Sequence, residues 1–175
     1  PFLVELDGDA EVMRHLIGRA RGRQEAEDFW APKIPGPLWV GHLDGRPVGW
    51  WAAWPREGGV AELGYRLARS AWRQGLAVEG ARAVVDETFA EPAVRVVRAE
   101  TMVANGGSRG VMRRLGMHEV RVEHREWPDP LPGAELGEVI AEVTGVADDR
   151  IAVPDLVAVI PPEPFASFMV ERGYV

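Results

Sequence analysis

The segment from residue 61 to residue 77 carries the features of an anion-binding turn. A strand-like run leads into the loop Trp72-Arg-Gln-Gly-Leu-Ala, which passes directly into a helix. The first N–H groups of a helix have no intrahelical partners, and the helix dipole adds about half a positive charge there. Gly75 lets the backbone approach a ligand closely, and Arg69 and Arg73 add full charges. The pattern favours a pyrophosphate site, but a plain strand-to-helix turn with exposed arginines explains it equally well.

A second polar pair lies further along the chain. Asn105 and Ser108 stand just before and within the first turn of a predicted helix, which Gly116 would end as its C-cap. Either residue alone is better explained as an N-cap than as a ligand-binding group. The loop at 72–77 is neither a Walker A loop, because the Gly-Lys-Ser/Thr end is absent, nor a dinucleotide fingerprint.

Composition narrows the function classes. The chain has 175 residues, which suits one domain, and its net charge of −7 argues against general nucleic-acid binding. No apolar run approaches the roughly 18 to 20 residues of a membrane span, and no basic leader is visible, so we expect a cytoplasmic protein. The sequence contains no cysteine and no cluster of metal ligands, so we expect neither a disulfide nor a metal site. An acidic surface is compatible with a cationic substrate, although ordinary solubility charge is the simpler explanation.

Hydrophobic periodicity predicts the elements that position these groups. Helices are expected at 9–17, 24–30, 75–90 and 107–115. Strands are expected at 38–43, 47–54, 60–67, 94–103, 118–127 and 138–144. Asp44-Gly45 reads as a hairpin turn, so the first three strands should form an antiparallel meander. Alternation places Trp50 and Trp54 on one face of the second strand and Trp51 on the other, most of them in the core and one of them able to line a pocket.

The combined blocks resemble the GNAT acyltransferase superfamily. The loop Trp72 to Ala77 is similar to the family's pyrophosphate loop, and Asn105-x-x-Ser108 with Leu115-Gly116-Met117 is similar to its Asn-x-x-Ser and Leu-Gly-Phe block. Glu62-Leu-Gly-Tyr-Arg-Leu and Trp72 resemble the branch that acetylates ribosomal-protein N-termini. The resemblance covers about residues 5 to 144 and implies an α/β (α+β) fold. That fold is a mixed central sheet with an antiparallel N-terminal meander and helices on both faces.

The resemblance also implies a mechanism in which an amine attacks the acetyl-CoA thioester. Pantetheine would lie in a splayed gap between strands 60–67 and 94–103, pairing with the backbone of Tyr65, Arg66 and Leu67. The phosphates would contact Trp72, Arg73, Gln74, Gly75, Leu76 and Ala77. Asn105 would bind pantetheine, and Arg109 would either reach the phosphates or lie in solvent.

Catalytic groups are few in such a reaction. Glu62 is our candidate base, with an ordinary surface carboxylate as the equal alternative, and His15 and His118 rank below it. Ser108 is our candidate donor to the departing thiolate. The other wall of the acceptor pocket is expected in the region of residues 19–37. The partners are acetyl-CoA and an amine, either a peptide N-terminus or a small molecule. The alternative function is a non-catalytic module that binds acyl-CoA for sensing or assembly.

Both ends of the sequence depart from the family pattern. The family's first strand and the start of its first helix would precede residue 5. Residues 145–175 form a C-terminal extension beyond the domain at 1–144, with one strand-like run at 156–160 and an apolar group after it. An uncovered sheet edge is a liability, so we expect this extension to cover it, within one chain or by exchange in a homodimer.

Overall fold

The computed structural model describes residues 1–34 and 36–145 and has mixed α/β architecture. The helices are α1 (Phe2–Asp7), α2 (Ala10–Met13), α3 (Arg23–Trp30), α4 (Leu76–Phe89) and α5 (Gly106–Arg114). The strands are β1 (Leu38–Leu43), β2 (Arg46–Arg56), β3 (Val60–Leu67), β4 (Val96–Met102), β5 (His118–Glu123) and β6 (Glu138–Thr144).

One six-stranded sheet, in the order β1-β2-β3-β4-β6-β5, organises these elements. β1, β2 and β3 form the predicted antiparallel meander, with Asp44 and Gly45 both at positive φ in the first turn. β4 is parallel to β3, and β6 lies between β4 and β5, antiparallel to both. The sheet is therefore mixed, as expected.

Helices cover both faces of the sheet. On one face α4 and α5 pack against Trp51, Ala61, Leu63 and Val97, which form the larger core. α4 lies unusually close to the sheet, because a Cβ at Gly80 would stand 2.3 Å from Cε2 of Trp51. On the other face α1 and α3 cover only the meander, where Trp30, Trp50 and Leu6 form a smaller core. The two faces of β2 thus divide the tryptophans as alternation predicts.

A buried carboxylate joins the smaller helical layer to the sheet. Asp7 is fully buried; it accepts hydrogen bonds from Arg21 Nη1 at 2.6 Å and from the Trp30 indole at 3.1 Å, and it pairs with Arg66 of β3. Burial lowers the pKa of Arg66, although Asp7 opposes this shift. Because removing one partner of a buried pair leaves an uncompensated charge, this cluster fixes α1 and α3 on β3.

The structure differs from the predicted elements at three places, and a fourth prediction falls outside the described residues. The helix expected at 9–17 is wrong beyond Met13: the N–H groups of Leu16, Ile17 and Gly18 all donate to the Met13 carbonyl, and Gly18 has a φ of 72°. Helix α1 is not among the helices that the sequence pattern predicts. The strand expected at 118–127 ends at Glu123, because its partner β6 begins opposite, at Glu138. The strand-like run at 156–160 lies outside the described residues.

Candidate active site

A gap opens in the middle of the sheet. β3 and β4 pair over only three residue pairs, the last of them Glu62 with Arg98, and both strands then continue without pairing each other. The N–H of Ala68 donates to β2 at Val48 O, 2.9 Å away. By alternation, the backbone groups of residues 63, 65 and 67 point away from β2 and into the gap. An extended ligand can therefore add to β3 like a further strand, as the family resemblance implies for Tyr65 and Leu67. The expectation for the backbone of Arg66 is wrong, because by the same alternation it faces Trp50 of β2.

The N-terminus of α4 lies at the end of this gap. Within the described ranges, the backbone N–H groups of residues 73–77 donate to no protein acceptor. Arg73 has a φ of 61° and Gly75 a φ of 85°, so two left-handed positions bend the loop around Gln74. No atom lies within 4 Å of the position that a Cβ on Gly75 would take. The loop offers free backbone donors on an exposed turn with two left-handed positions, which is the form of a phosphate-binding nest.

Side chains around the loop mainly stabilise its conformation through hydrogen bonds to nearby backbone carbonyls. The Trp72 indole donates to Leu67 O at 2.9 Å, and Gln74 Nε2 donates to Ser70 O at 2.6 Å. Arg69, which we expected to add charge at the loop, pairs with Asp9 at 2.7 Å on the opposite face. The backbone N–H groups are thus the candidate anion donors of this loop, and Arg73 is the cation within it.

Polar groups on β3 and α5 meet across the gap. Asn105 caps α5 by accepting from Ser108 N at 3.1 Å, while its Nδ2 donates to Thr101 Oγ1 at 3.1 Å. The Tyr65 hydroxyl lies 2.9 Å from Ser108 Oγ and 3.2 Å from Ser108 O. Burial raises the pKa of Tyr65 to about 12, although the Ser108 contact opposes the shift. The capping explanation for Asn105 is confirmed, and Tyr65 contributes a hydroxyl whose role the sequence did not suggest.

Glu62 lies on the other face of the sheet, at the last paired position before the gap. Its Oε2 accepts from Arg56 Nε at 2.8 Å, and its side chain is 42% exposed. It borders a cleft of about 570 Å³ with lining residues from β2 to β6: Arg56, Glu57, Glu62, Arg98, Glu100, Arg121, Glu123, Arg125 and Ile140. Trp54 packs over Gly64 beside Glu62, since a Cβ at Gly64 would stand 2.7 Å from Trp54 Cζ3. A molecule in this cleft would face the gap from the side opposite α4 and α5.

Comparisons with known proteins agree with this geometry. The profile of the acetyltransferase (GNAT) domain matches residues 1–118. The FsC-acetyl coenzyme A-N(2)-transacetylase of Aspergillus fumigatus is 36% identical over 160 aligned positions, covering 82% of this chain and 68% of that protein. This chain belongs to the GNAT acetyltransferase family.

Solved structures share the fold of this GNAT domain. A GNAT acetyltransferase from Bacillus anthracis superposes with a TM-score of 0.70 at 20% identity, over 81% of this chain and 86% of that one. Spermidine N-acetyltransferase from Vibrio cholerae, solved with CoA and spermine, superposes with a TM-score of 0.68 at 14% identity, over 82% and 88%.

A carboxylate cluster that the sequence did not reveal lies at the cleft of this GNAT domain. Arg125 pairs with Glu100 of β4, with Glu123 at 2.9 Å and with Glu138 of β6 at 2.8 Å. Burial and the neighbouring Glu100 raise the pKa of Glu138 to about 7. These residues are up to 38 positions apart and carry no local motif, so only the sheet order, which brings β4, β5 and β6 together, could have predicted them.

The side chains of the remaining candidates of the GNAT domain bond to other partners or lie on other elements. Arg109 forms a two-point ion pair with Glu119, at 2.9 and 3.0 Å, and the Arg66 side chain is held by Asp7. Burial and Arg14 lower the pKa of His15, and His118 lies on the outer strand β5. In the part of the chain that the structure describes, no group of three potential metal ligands occurs, and no helix has the length and apolar character to cross a membrane.

Proposed function

We propose that this protein is an acetyl-CoA-dependent N-acetyltransferase that acetylates a primary amine by direct attack on the thioester. The observation that carries the proposal is the gap between β3 and β4. The free N–H groups of α4 lie on one side of this gap, and the charged cleft lies on the other. The acetyl group would therefore lie where the two sides meet, with the amine arriving from the cleft.

We assign one group of the protein to each chemical step. The amine nitrogen attacks the carbonyl carbon, the C–S electron pair passes to sulfur, and the amine loses one proton while the thiolate gains one. We assign the amine proton to Glu62, directly or through water, because Glu62 borders the cleft where pairing of the strands stops. Backbone N–H groups of β3 in the gap would stabilise the oxyanion, and Ser108 would donate to the departing sulfur.

The acceptor is proposed to be a small-molecule amine. The relative at 36% identity is named as an N(2)-transacetylase of FsC, so FsC is the first acceptor to test. Aminoglycosides and polyamines follow, since proteins of the same fold were solved with kanamycin and with spermine. A peptide with N-terminal alanine or serine represents the remaining class, which the sequence resemblance to the ribosomal-protein branch suggests.

Thiol release tests the proposal. The purified protein is mixed with acetyl-CoA and each amine in turn, and free CoA is followed with a thiol reagent, which the protein itself does not consume because it contains no cysteine. Amine-dependent CoA release, with acetylated amine in the products, is the expected result. Binding of acetyl-CoA by calorimetry without release for any amine would instead indicate the non-catalytic binding module. Absence of binding would reject both functions.

A further inference from the structure

The contact between Tyr65 and Ser108 crosses the gap. Tyr65 belongs to β3 and Ser108 to the first turn of α5, yet their hydroxyl oxygens lie 2.9 Å apart. The Tyr65 side chain points to the face that α4 and α5 cover, where it packs on the larger core. The hydroxyl pair therefore lies beside the unpaired stretch of β3.

The two hydroxyl protons of Tyr65 and Ser108 determine which hydrogen bonds this contact can form. The tyrosine and serine hydroxyls have one proton each. Within residues 1–34 and 36–145, Ser108 Oγ contacts no hydrogen-bonding group other than the Tyr65 hydroxyl. When Tyr65 donates to Ser108 Oγ, the serine proton is left without a protein acceptor and is available to a group in the gap. When Tyr65 donates to Ser108 O instead, at 3.2 Å, the serine proton can turn back to Tyr65.

The environment keeps Tyr65 a neutral donor. Because burial raises its pKa to about 12, the phenol keeps its proton at neutral and mildly alkaline pH. A thiol such as that of cysteine has a pKa of about 8.5, so the departing thiolate would not remove a proton from this pair. It would receive a hydrogen bond, which in this partly buried site is stronger than in bulk solution.

We propose that Tyr65 is a positioning residue for thiolate departure: it donates to Ser108 Oγ and thereby directs the serine proton toward the sulfur of CoA. This inference rests on the proposed acetyltransferase function. As the C–S bond breaks, its electron pair passes to sulfur, which accepts a hydrogen bond from Ser108. The thiolate then takes its proton from solvent, to which the base has released the amine proton, so the overall reaction moves one proton from nitrogen to sulfur.

The test is a double-mutant cycle with Tyr65→Phe and Ser108→Ala. Each single substitution should lower kcat about tenfold, the effect of one hydrogen bond to a charged group. The affinity for acetyl-CoA should change less than twofold, and the double variant should be no slower than Ser108→Ala alone. Ser108→Thr, which keeps the hydroxyl, should restore most of the rate. The control is Thr88→Val, which removes a buried hydroxyl bonded to Val84 O in α4, away from the gap.

The outcomes separate this inference from the proposed function. If the unmodified protein releases no CoA with any amine, the function itself fails. If it turns over and Tyr65→Phe keeps the full kcat, or if the two substitutions multiply their effects, Tyr65 does not act through Ser108. A Tyr65→Phe variant with weaker acetyl-CoA binding, a lower Tm and no change in kcat would assign the contact to structure alone.

Discussion

The two sides of the gap are built differently. On the side of α4, the candidate anion site consists of backbone N–H groups on a loop shaped by residues 73–75, with few charged side chains involved. On the opposite side, the cleft is lined by four arginines and four glutamates from four strands, β2 to β5, and their loops, and most of them form ion pairs. Backbone donors suit a ligand that is the same in every reaction. A cleft lined by side chains, in contrast, can change through single substitutions. We infer that acceptor choice is set by the cleft.

The largest effect is expected from Glu62→Gln on the cleft side. Loss of the proposed base should lower kcat about 10²-fold, while acetyl-CoA affinity should stay nearly intact, because Glu62 lies on the face opposite the loop at 72–77. Steady-state kinetics and calorimetry measure the two quantities. The control is Glu57→Gln, a carboxylate of the same cleft without a proposed role. Normal turnover in Glu62→Gln would transfer the role of base to the Glu100–Glu138 pair or to water.

On the loop side, Gly75→Val should weaken acetyl-CoA binding more than tenfold, roughly 1.4 kcal/mol. A β-branched residue is strained at a φ of 85°, and its side chain would occupy the open space that the phosphates approach. The matched control is Gly45→Val in the first hairpin turn, which has a φ of 73° and equally open space. The two variants should lose similar stability, and only Gly75→Val should lose affinity in calorimetry. Equal affinity in both would remove the loop from the site.

The loop side also depends on close helix packing, which Gly80→Ala should disturb. The added Cβ would overlap Trp51, and overpacking of this kind costs about 1–3 kcal/mol of the free energy of unfolding. Chemical denaturation measures it. Gly110→Ala in α5 is the control, because its Cβ would meet nothing closer than 3.8 Å; better helix propensity should stabilise that variant by up to about 1 kcal/mol. An unchanged or stabilised Gly80→Ala variant would show that α4 can move away from the sheet.

The smallest effect concerns pH and the cleft. Because the pKa of Glu138 is raised to about 7, the folded state binds more protons than the unfolded state between pH 4.5 and 7. The contribution of this group to stability is therefore largest at low pH and is lost as pH rises through 7. Glu138→Gln should remove that loss and raise Tm at pH 8 by about 2–4 °C, the shift that 1 kcal/mol gives at this size. Glu135→Gln, an exposed neighbour, should leave the pH dependence of Tm unchanged.

The contrast between the two sides of the gap also explains which features could be predicted from the sequence. The meander, α4, α5 and the loop at 72–77 follow from periodicity, turn residues and a short contiguous motif, and the structure confirms these elements. The contact between Tyr65 and Ser108 joins residues 43 positions apart, and Arg125 reaches three strands at once. Such contacts depend on strand order and on the face to which each side chain points, and β6 enters the sheet between β4 and β5 out of chain order.

The buried Asp7 cluster limits how this protein can be re-engineered. The Asp7 carboxylate links α1, the segment at Arg21, α3 and β3, so these segments should be exchanged together in a chimera. A chimera that exchanged α1 alone would remove Asp7 and leave Arg66 buried without its partner. Exchanges confined to residues 14–20 or to the loop between β5 and β6 would keep the cluster. These two segments touch each other, because Leu131 packs against Gly18. The two segments should therefore be exchanged as a pair, so that this contact is kept.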